Sequence, residues 1–486
     1  MNTQAKRDIL RKEEKMGNRL DKYFDWMAVL IRKVLDAEQF SDKDFQSILC
    51  DKENKKYLNL RCKFPELICE SGTFKSIRRM DLKASFYERI KCTVMEEDVY
   101  SMQLLLYYMD RAIEDCFQTW IGFEDDVDSY NSLNQNLKET HIGIIKKVKC
   151  KWEHTTVNNN LRGILSKFYF IDYKKCQDFV VKNIVLDPQM IFRGEKKLFR
   201  IAISPVTREK AVIFSDPYER KNERTGARQY LFRVEGIANE DEITKKVITN
   251  IHKAGKSGAD ILVFPEMLGT QKMLERTIAL LQKEKKKCPC LIVFPSIWKK
   301  TEADLENENK SAVVLNGERV LFEQKKYGDF WYSKDGIPIY EDINREKQDQ
   351  ILYVIHIEGL GRICILICYD YLEEENREKI IKNVCPTLVC SPSFSTGSFH
   401  FKILSGKYFD QNCNWVWCNT CAAEHEVKGQ KEENFKIVGA ITTLSKVCDL
   451  TEPGTFENVY KGRYACEKEE CEQCIYYGEI SLEARN

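Results

Sequence analysis

Histidine is scarce in this chain of 486 residues. The six sit at positions 141, 154, 252, 356, 400 and 425, and none falls in the HxxxH or HExxH spacing that puts two imidazoles on one helix face. A catalytic metal centre built on histidine is therefore not expected. Charge of one sign is also lacking: Lys and Arg number 76 against 75 for Asp and Glu, a formal net charge of +1. No global field draws such a chain to nucleic acid or to an acidic membrane surface. Long apolar runs are missing too, since nowhere do about 18 apolar residues follow one another, and the opening MNTQAKRDILRKEEKMGNRL has no apolar stretch of signal-peptide type. The expectation is a soluble cytoplasmic protein, without membrane or nucleic-acid contacts, whose partners are small or local.

What the chain has in quantity is cysteine, 20 residues in all. In a reducing compartment most such thiols pack as small hydrophobes, so a lone Cys says little. Cys466, Cys471 and Cys474 stand out by their C-x4-C-x2-C spacing within KGRYACEKEECEQC (461–474). Zinc needs a fourth ligand, for which Cys448 and His425 are the candidates. With no clear fourth partner, these three remain weak metal candidates, and the expectation is no metal and no cofactor.

The length suggests two domains. Residues 1–195 carry helical periodicity, as in YFDWMAVLIRKVL (23–35) and EDVYSMQLLLYYMDRAIEDCF (97–117), where apolar residues recur every three or four positions. No chemistry-bearing motif is visible there, so this half reads as a mainly helical packing or partner-binding domain. From 196 onward the pattern changes to short β-rich runs separated by helical ones: FRIAISPV, ILVFP, LIVFP, SAVVL, RVLFEQ, LYVIHI, RICILIC, TLVCS, WVWCN and IYYGEISL. Between them EITKKVITNIHKAG places Ile243, Val247, Ile248, Ile251 and Ala254 on one helical stripe, with Gly255 as its expected stop. This is an α/β layer pattern, and strands apolar on both faces suit a sheet covered on each side.

Three strand ends carry chemistry. ILVFPE delivers Glu266, a carboxylate that burial would turn into a base. NGERVLFEQKKY reads as a turn at Asn316-Gly317 and a strand ending in Lys325 and Lys326. RICILICYD ends in Cys368 beside Tyr369 and Asp370. Each alone fits an ordinary strand end, but base, cation and nucleophile in one α/β domain form a set. At this point residues 197–486 resemble the nitrilase or carbon-nitrogen hydrolase superfamily. That resemblance implies a four-layer αββα sandwich with a Glu, Lys, Cys triad.

The resemblance assigns Glu266 through FPE and Cys368 through ICYD. The family interval counted from Asn316-Gly317 ends on Lys325. Lys326 needs a shift of one residue, which period-two geometry would send to the other face, so Lys325 is the expected lysine. It further implies a second glutamate between lysine and cysteine, for which Glu341 is the candidate and Asp329 the runner-up, and an oxyanion site that includes the backbone N–H of Tyr369. Asp370 is read as a helix cap. The implied activity is hydrolysis of a non-peptide C–N bond, in a small-molecule amide or nitrile, through a Cys thioester. A homo-oligomer paired through the helices after Cys368 is also implied, with a protein partner open to the N-terminal domain. The stretch YLEEEN departs from the family's Arg-Phe-Pro-Glu-like sequence after the cysteine, which leaves the substrate open. The alternative is a nitrilase-fold binding or signalling module of a multi-component system, for example one of bacterial defence, with the helical domain engaging protein or nucleic acid.

Overall fold

The computed structural model describes residues 22–37, 55–113, 127–150, 161–176 and 179–482, apart from short stretches within these ranges, of which 462–474 is the longest. Cys466, Cys471 and Cys474 lie outside the described residues. Among the described residues no helix is long and apolar enough to cross a membrane. The chain divides into two compact units, Met1–Val148 with His154–Gln177 and Lys149–Glu153 with Asp178–Asn486.

Among the described residues the first unit is built from helices and a few short strands. Its helices include 22–36, Ala84–Met95 and Val99–Ala112. Their stripes meet in a core of Tyr23, Phe24, Met27, Phe86, Leu105 and Met109. Strands Ile142–Lys146 and Phe168–Asp172 pair antiparallel beside it. Asp110 is the polar pin: fully buried on Val99–Ala112, it accepts from the backbone N–H groups of Ser166, Lys167 and Phe168. Burial raises its pKa even against those bonds.

The second unit holds β1 (Phe179–Leu186), β2 (Leu198–Ile203), α1 (Glu240–Lys256), β3 (Ile261–Val263), α2 (Gln271–Glu284), β4 (Leu291–Val293), β5 (Ile297–Lys300), β6 (Asn307–Leu315) and β7 (Arg319–Lys325). These are followed by β8 (Gln350–Ile357), β9 (Gly361–Ile365), α3 (Glu374–Val384), β10 (Leu388–Pro392), α4 (Phe399–Leu404), β11 (Asn414–Cys418), β12 (Ile437–Asp449), β13 (Glu452–Lys461) and β14 (Tyr476–Ser481). The expected boundary at 195 is corrected by β1, which pairs parallel with β8 from Phe179↔Gln350 to Leu186↔Ile357 and so belongs to this unit. In sequence its FVVKNIVL was indistinguishable from the apolar periodicity preceding it.

One sheet runs β5-β6-β4-β3-β2-β14, with β7 on β6; within this unit the other runs β1-β8-β9-β10-β11-β12-β13. They pack face to face. A Cβ on Gly439 of β12 would lie 2.4 Å from Ile203 of β2, and one on Gly478 of β14 would lie 2.6 Å from Ile441 of β12. Outside the first sheet, α1 and α2 bury Ile243, Val247, Ile251, Met273 and Leu274 against Leu262, Ile292 and Val314. Outside the second, α4 stacks Phe401 on Trp417 at 4.6 Å, and α3 makes the crossover between the parallel neighbours β9 and β10 with Ile380, Ile381 and Val384 buried. The result is the expected four-layer αββα sandwich.

Gly255 does not stop α1, which runs on to Lys256. The glycine serves close approach, since a Cβ there would meet the Lys287 carbonyl at 2.2 Å. The positive φ that follows the helix falls on Gly258. Two insertions, one between β2 and α1 and one between β7 and β8, supply a separate small sheet in the order Trp331–Lys334, Ile337–Glu341, Arg228–Phe232, Tyr218–Lys221. Asp342 ties it to β6, accepting from Arg220 at 2.6 and 2.7 Å and from Asn307 Nδ2 at 2.7 Å.

Candidate active site

The site forms where strands of the two facing sheets end. Glu266 leaves β3 after Phe264 and Pro265. Its backbone N–H donates to the Ser393 carbonyl of the opposite sheet, and the chain then turns through Met267, at φ 63°, whose N–H is held by Ser296 Oγ. Cys368 follows β9 and adopts φ 47° and ψ −101° with its N–H on the Pro392 carbonyl. A non-glycine residue there is strained by about 1–3 kcal/mol, which the surrounding packing must hold. The short helix Tyr369–Leu372 begins at the next residue.

Glu266 is fully buried, and its thiol neighbour Cys368 is 2% exposed and hydrogen-bonded to it. Glu266 Oε1 accepts from Lys326 Nζ at 2.6 Å and from Asn309 Nδ2 at 2.9 Å; Oε2 accepts from the Phe394 N–H at 2.9 Å. Lys326 Nζ also donates to Glu341 Oε2 at 2.6 Å, and that oxygen takes the Phe330 N–H at 3.1 Å. Asn309 Nδ2 reaches Glu341 Oε1 at 3.3 Å, so lysine and asparagine each bridge both carboxylates. Burial pushes the Glu266 carboxyl up, partly offset by Lys326. Burial alone would lower the Lys326 ammonium, yet the paired charges of Glu266 and Glu341 lift it well above its usual value. The Cys368 thiol is raised well above the ordinary thiol range by burial first and by the Glu266 charge second. It therefore rests as a thiol beside the Glu266 carboxyl.

Lys325 is not part of this cluster. It points to the other face of β7, where its Nζ donates to Glu308 at 3.0 Å beside Lys310. The expected lysine is corrected to Lys326, and the cause is a β-bulge. From the turn, Leu315 pairs with Arg319 and Val314 with Val320, but Val313 pairs with Phe322, leaving Leu321 without a partner. That extra residue inverts the side-chain alternation for the rest of the strand. Had Leu321 been paired, Lys325 would oppose Asn309; instead Lys325 opposes Lys310, and the Lys326 N–H bonds the Asn309 carbonyl.

The structure thus places Glu266, Glu341 and Cys368 around Lys326, with Glu341 rather than Asp329 receiving the lysine. Tyr369 follows the sulfur directly, and its ring lies so close to Gly328 that a Cβ there would meet it at 2.8 Å. Asn309 escaped the sequence analysis, and Asp370 was given a different role there. Asn309 was announced by ENENKSAVVL, where Asn307, Asn309 and Ser311 alternate on one face of a strand that then turns fully apolar. Asp370, expected as a helix cap, instead lies in the first turn of the short helix and accepts from the N–H groups of Tyr327 at 3.0 Å and Gly328 at 2.6 Å. It fastens the segment after Lys326 to the turn after Cys368, and burial pushes its carboxyl up to about 7. Among the described residues no group of three or more His, Cys, Asp or Glu side chains is placed to hold a metal ion.

No protein-family model matches this chain, and no curated protein matches it by sequence. Solved structures do. An amidase from Nesterenkonia sp. is similar at 13% identity and a TM-score of 0.37, over 59% of this chain and 91% of that one. NitN amidase from strain AN1 of that genus gives 14% identity and 0.36 over 54% and 90%. A variant of the AN1 amidase, described as from the nitrilase superfamily, gives 13% and 0.37 over 59% and 92%.

Proposed function

We propose that the second unit is a thiol-dependent hydrolase that cleaves the C–N bond of a small-molecule amide or nitrile. The observation that carries this is the convergence of Glu266, Lys326 and Cys368, with Lys326 bridging two buried carboxylates. Removing three ionised groups from water is opposed by several kcal/mol per ion, so a module that only binds has little reason to assemble them. As the sulfur attacks the carbonyl or nitrile carbon, Glu266 takes its proton, because no thiolate is formed beforehand. The negative charge that develops on the substrate oxygen or nitrogen meets the Lys326 ammonium and the N–H of Tyr369, donors worth about 3–4 kcal/mol each in such sites. With an amide, protonated Glu266 then returns its proton to the leaving amine and the thioester forms. A nitrile gives a thioimidate instead, which takes up one water and loses ammonia to reach the same thioester. A water deprotonated by the same carboxylate hydrolyses the thioester. Glu341 and Asn309 hold the lysine and the base in register.

The test is ammonia release by the full chain from a panel of small amides and nitriles. Turnover is expected with at least one, and is lost both in Cys368→Ala and in Glu266→Gln, the latter without an acyl adduct on Cys368 by intact mass because the base of the first step is gone. Release that survives Cys368→Ala would refute the assignment. The same reading carries the expected homo-oligomer, for which mass photometry of the full chain should show a mass at least twice that of one chain.

A further inference from the structure

Five aromatic rings connect the two site carboxylates by a route that bypasses the lysine. Phe394, whose N–H bonds Glu266 Oε2, meets Phe214 edge-on at 5.7 Å. Phe214 meets Phe232 at 5.8 Å, Phe232 meets Tyr332 at 5.6 Å, and Tyr332 stacks on Phe330 at 6.5 Å. Phe330 closes the path, since its N–H bonds Glu341 Oε2. Because Lys326 joins Glu341 to Glu266, the contacts form a closed circuit, part ion cluster and part aromatic. The Cys368 sulfur touches it at Glu266 and at the Phe394 N–H.

The rings come from both insertions and from the loop after β10, segments far apart in sequence. Their exposure is graded: Phe232 is 5% exposed, whereas Phe214 and Tyr332 are 40% and 37% exposed. Two arginines of this region are engaged elsewhere. Arg220 is paired with Asp342, and Arg233 lies over the Tyr218 ring at 5.6 Å. What the circuit presents beside the sulfur is therefore π surface that is open at one side, while the reacting groups sit at its other side.

We infer that this aromatic collar is the substrate-selecting wall, and that the compound attacked by Cys368 carries an aromatic or otherwise planar apolar group packed against Phe214 and Tyr332. This rests on the hydrolase reading only for the bond cleaved; recognition by the collar is measured without turnover. The probes are 2-chloroacetamide and N-benzyl-2-chloroacetamide, which alkylate Cys368, each rate being divided by its rate with free glutathione. The benzyl probe should be favoured by roughly tenfold or more, the scale of one or two aromatic contacts. Phe214→Ala and Tyr332→Ala should each reduce that ratio by roughly threefold or more. Phe214→Leu, which keeps the apolar volume, should give an intermediate ratio and guards against loss of fold. A ratio near one, or one unmoved by both alanine variants, overturns the collar. Amide turnover is scored separately. Selective labelling without turnover sinks the hydrolase and keeps the collar, and turnover with a flat labelling ratio does the reverse.

Discussion

Two neighbouring lysines at the end of β7 sit in ion groups that differ in burial. On the outer face Lys325 and Lys310 flank one carboxylate, Glu308, with their side chains 23% and 27% exposed. On the inner face one ammonium, Lys326, is flanked by two carboxylates, and all three side chains are 0% exposed. Burial works against the Glu308 carboxylate, but hydrogen bonds from the two lysines hold its pKa below the usual range. Within the inner group burial prevails and lifts Glu266. The difference teaches that ion pairing alone marks nothing. The removal of water is what sets the two groups apart, raising Glu266 where exposed pairing lowers Glu308.

The comparison can be broken at several points. The largest effect is expected from Lys326→Ala, which strands two buried carboxylates. Stability should fall by about 3–5 kcal/mol in chemical denaturation, and any amide turnover should disappear. Next is Asp370→Asn, which keeps the acceptor oxygen but removes the charge. In the folded protein the Asp370 carboxyl titrates near 7, above its ordinary value of 3.8, so between those limits the folded state holds the extra proton. Stability should therefore fall as pH rises from about 4 to about 7. Asp370→Asn should remove roughly 2–4 kcal/mol of that slope, read as denaturation midpoints at pH 5 and pH 8.

A sharper test uses strand parity. Inserting one alanine between Gln324 and Lys325 in a Lys326→Ala background should carry Lys325 from its place opposite Lys310 to the position opposite Asn309 and restore turnover at least tenfold over the single variant, about 1.4 kcal/mol of barrier. No recovery would mean that strand parity does not decide which lysine serves. The smallest effect is expected from Lys325→Ala, with a stability change under about 1 kcal/mol and turnover within about twofold of the parent.

These contrasts also show what the sequence could disclose. The strands of the second unit were legible because short apolar β-rich runs alternate with helical stripes, and Glu266 and Cys368 were legible because each closes such a run. Glu341 was named because the family resemblance implies a second glutamate between the lysine and the cysteine. The choice between Lys325 and Lys326 was not legible. Arg-Val-Leu-Phe-Glu-Gln-Lys carries no glycine or proline to mark where pairing skips a residue, and a bulge is a property of two strands together. Asp370 was misassigned for a related reason. Its position after Cys368 suits a cap, and only the fold brings the Tyr327 and Gly328 amides to it. The strand FVVKNIVL lay beyond reach because its partner β8 is 171 positions downstream, from Phe179 to Gln350.

The two glycines at the sheet interface set a dimension that neither reacting residue controls. Glu266 is carried by one slab of the sandwich and Cys368 by the other, so the reach of base to sulfur is the gap between the slabs. Ile203 and Ile441 seat in notches left by Gly439 and Gly478, as a tenon seats in a mortise. A single added methyl at either notch would act as a shim, prising the acid from the thiol while leaving every reacting atom in place on its own strand.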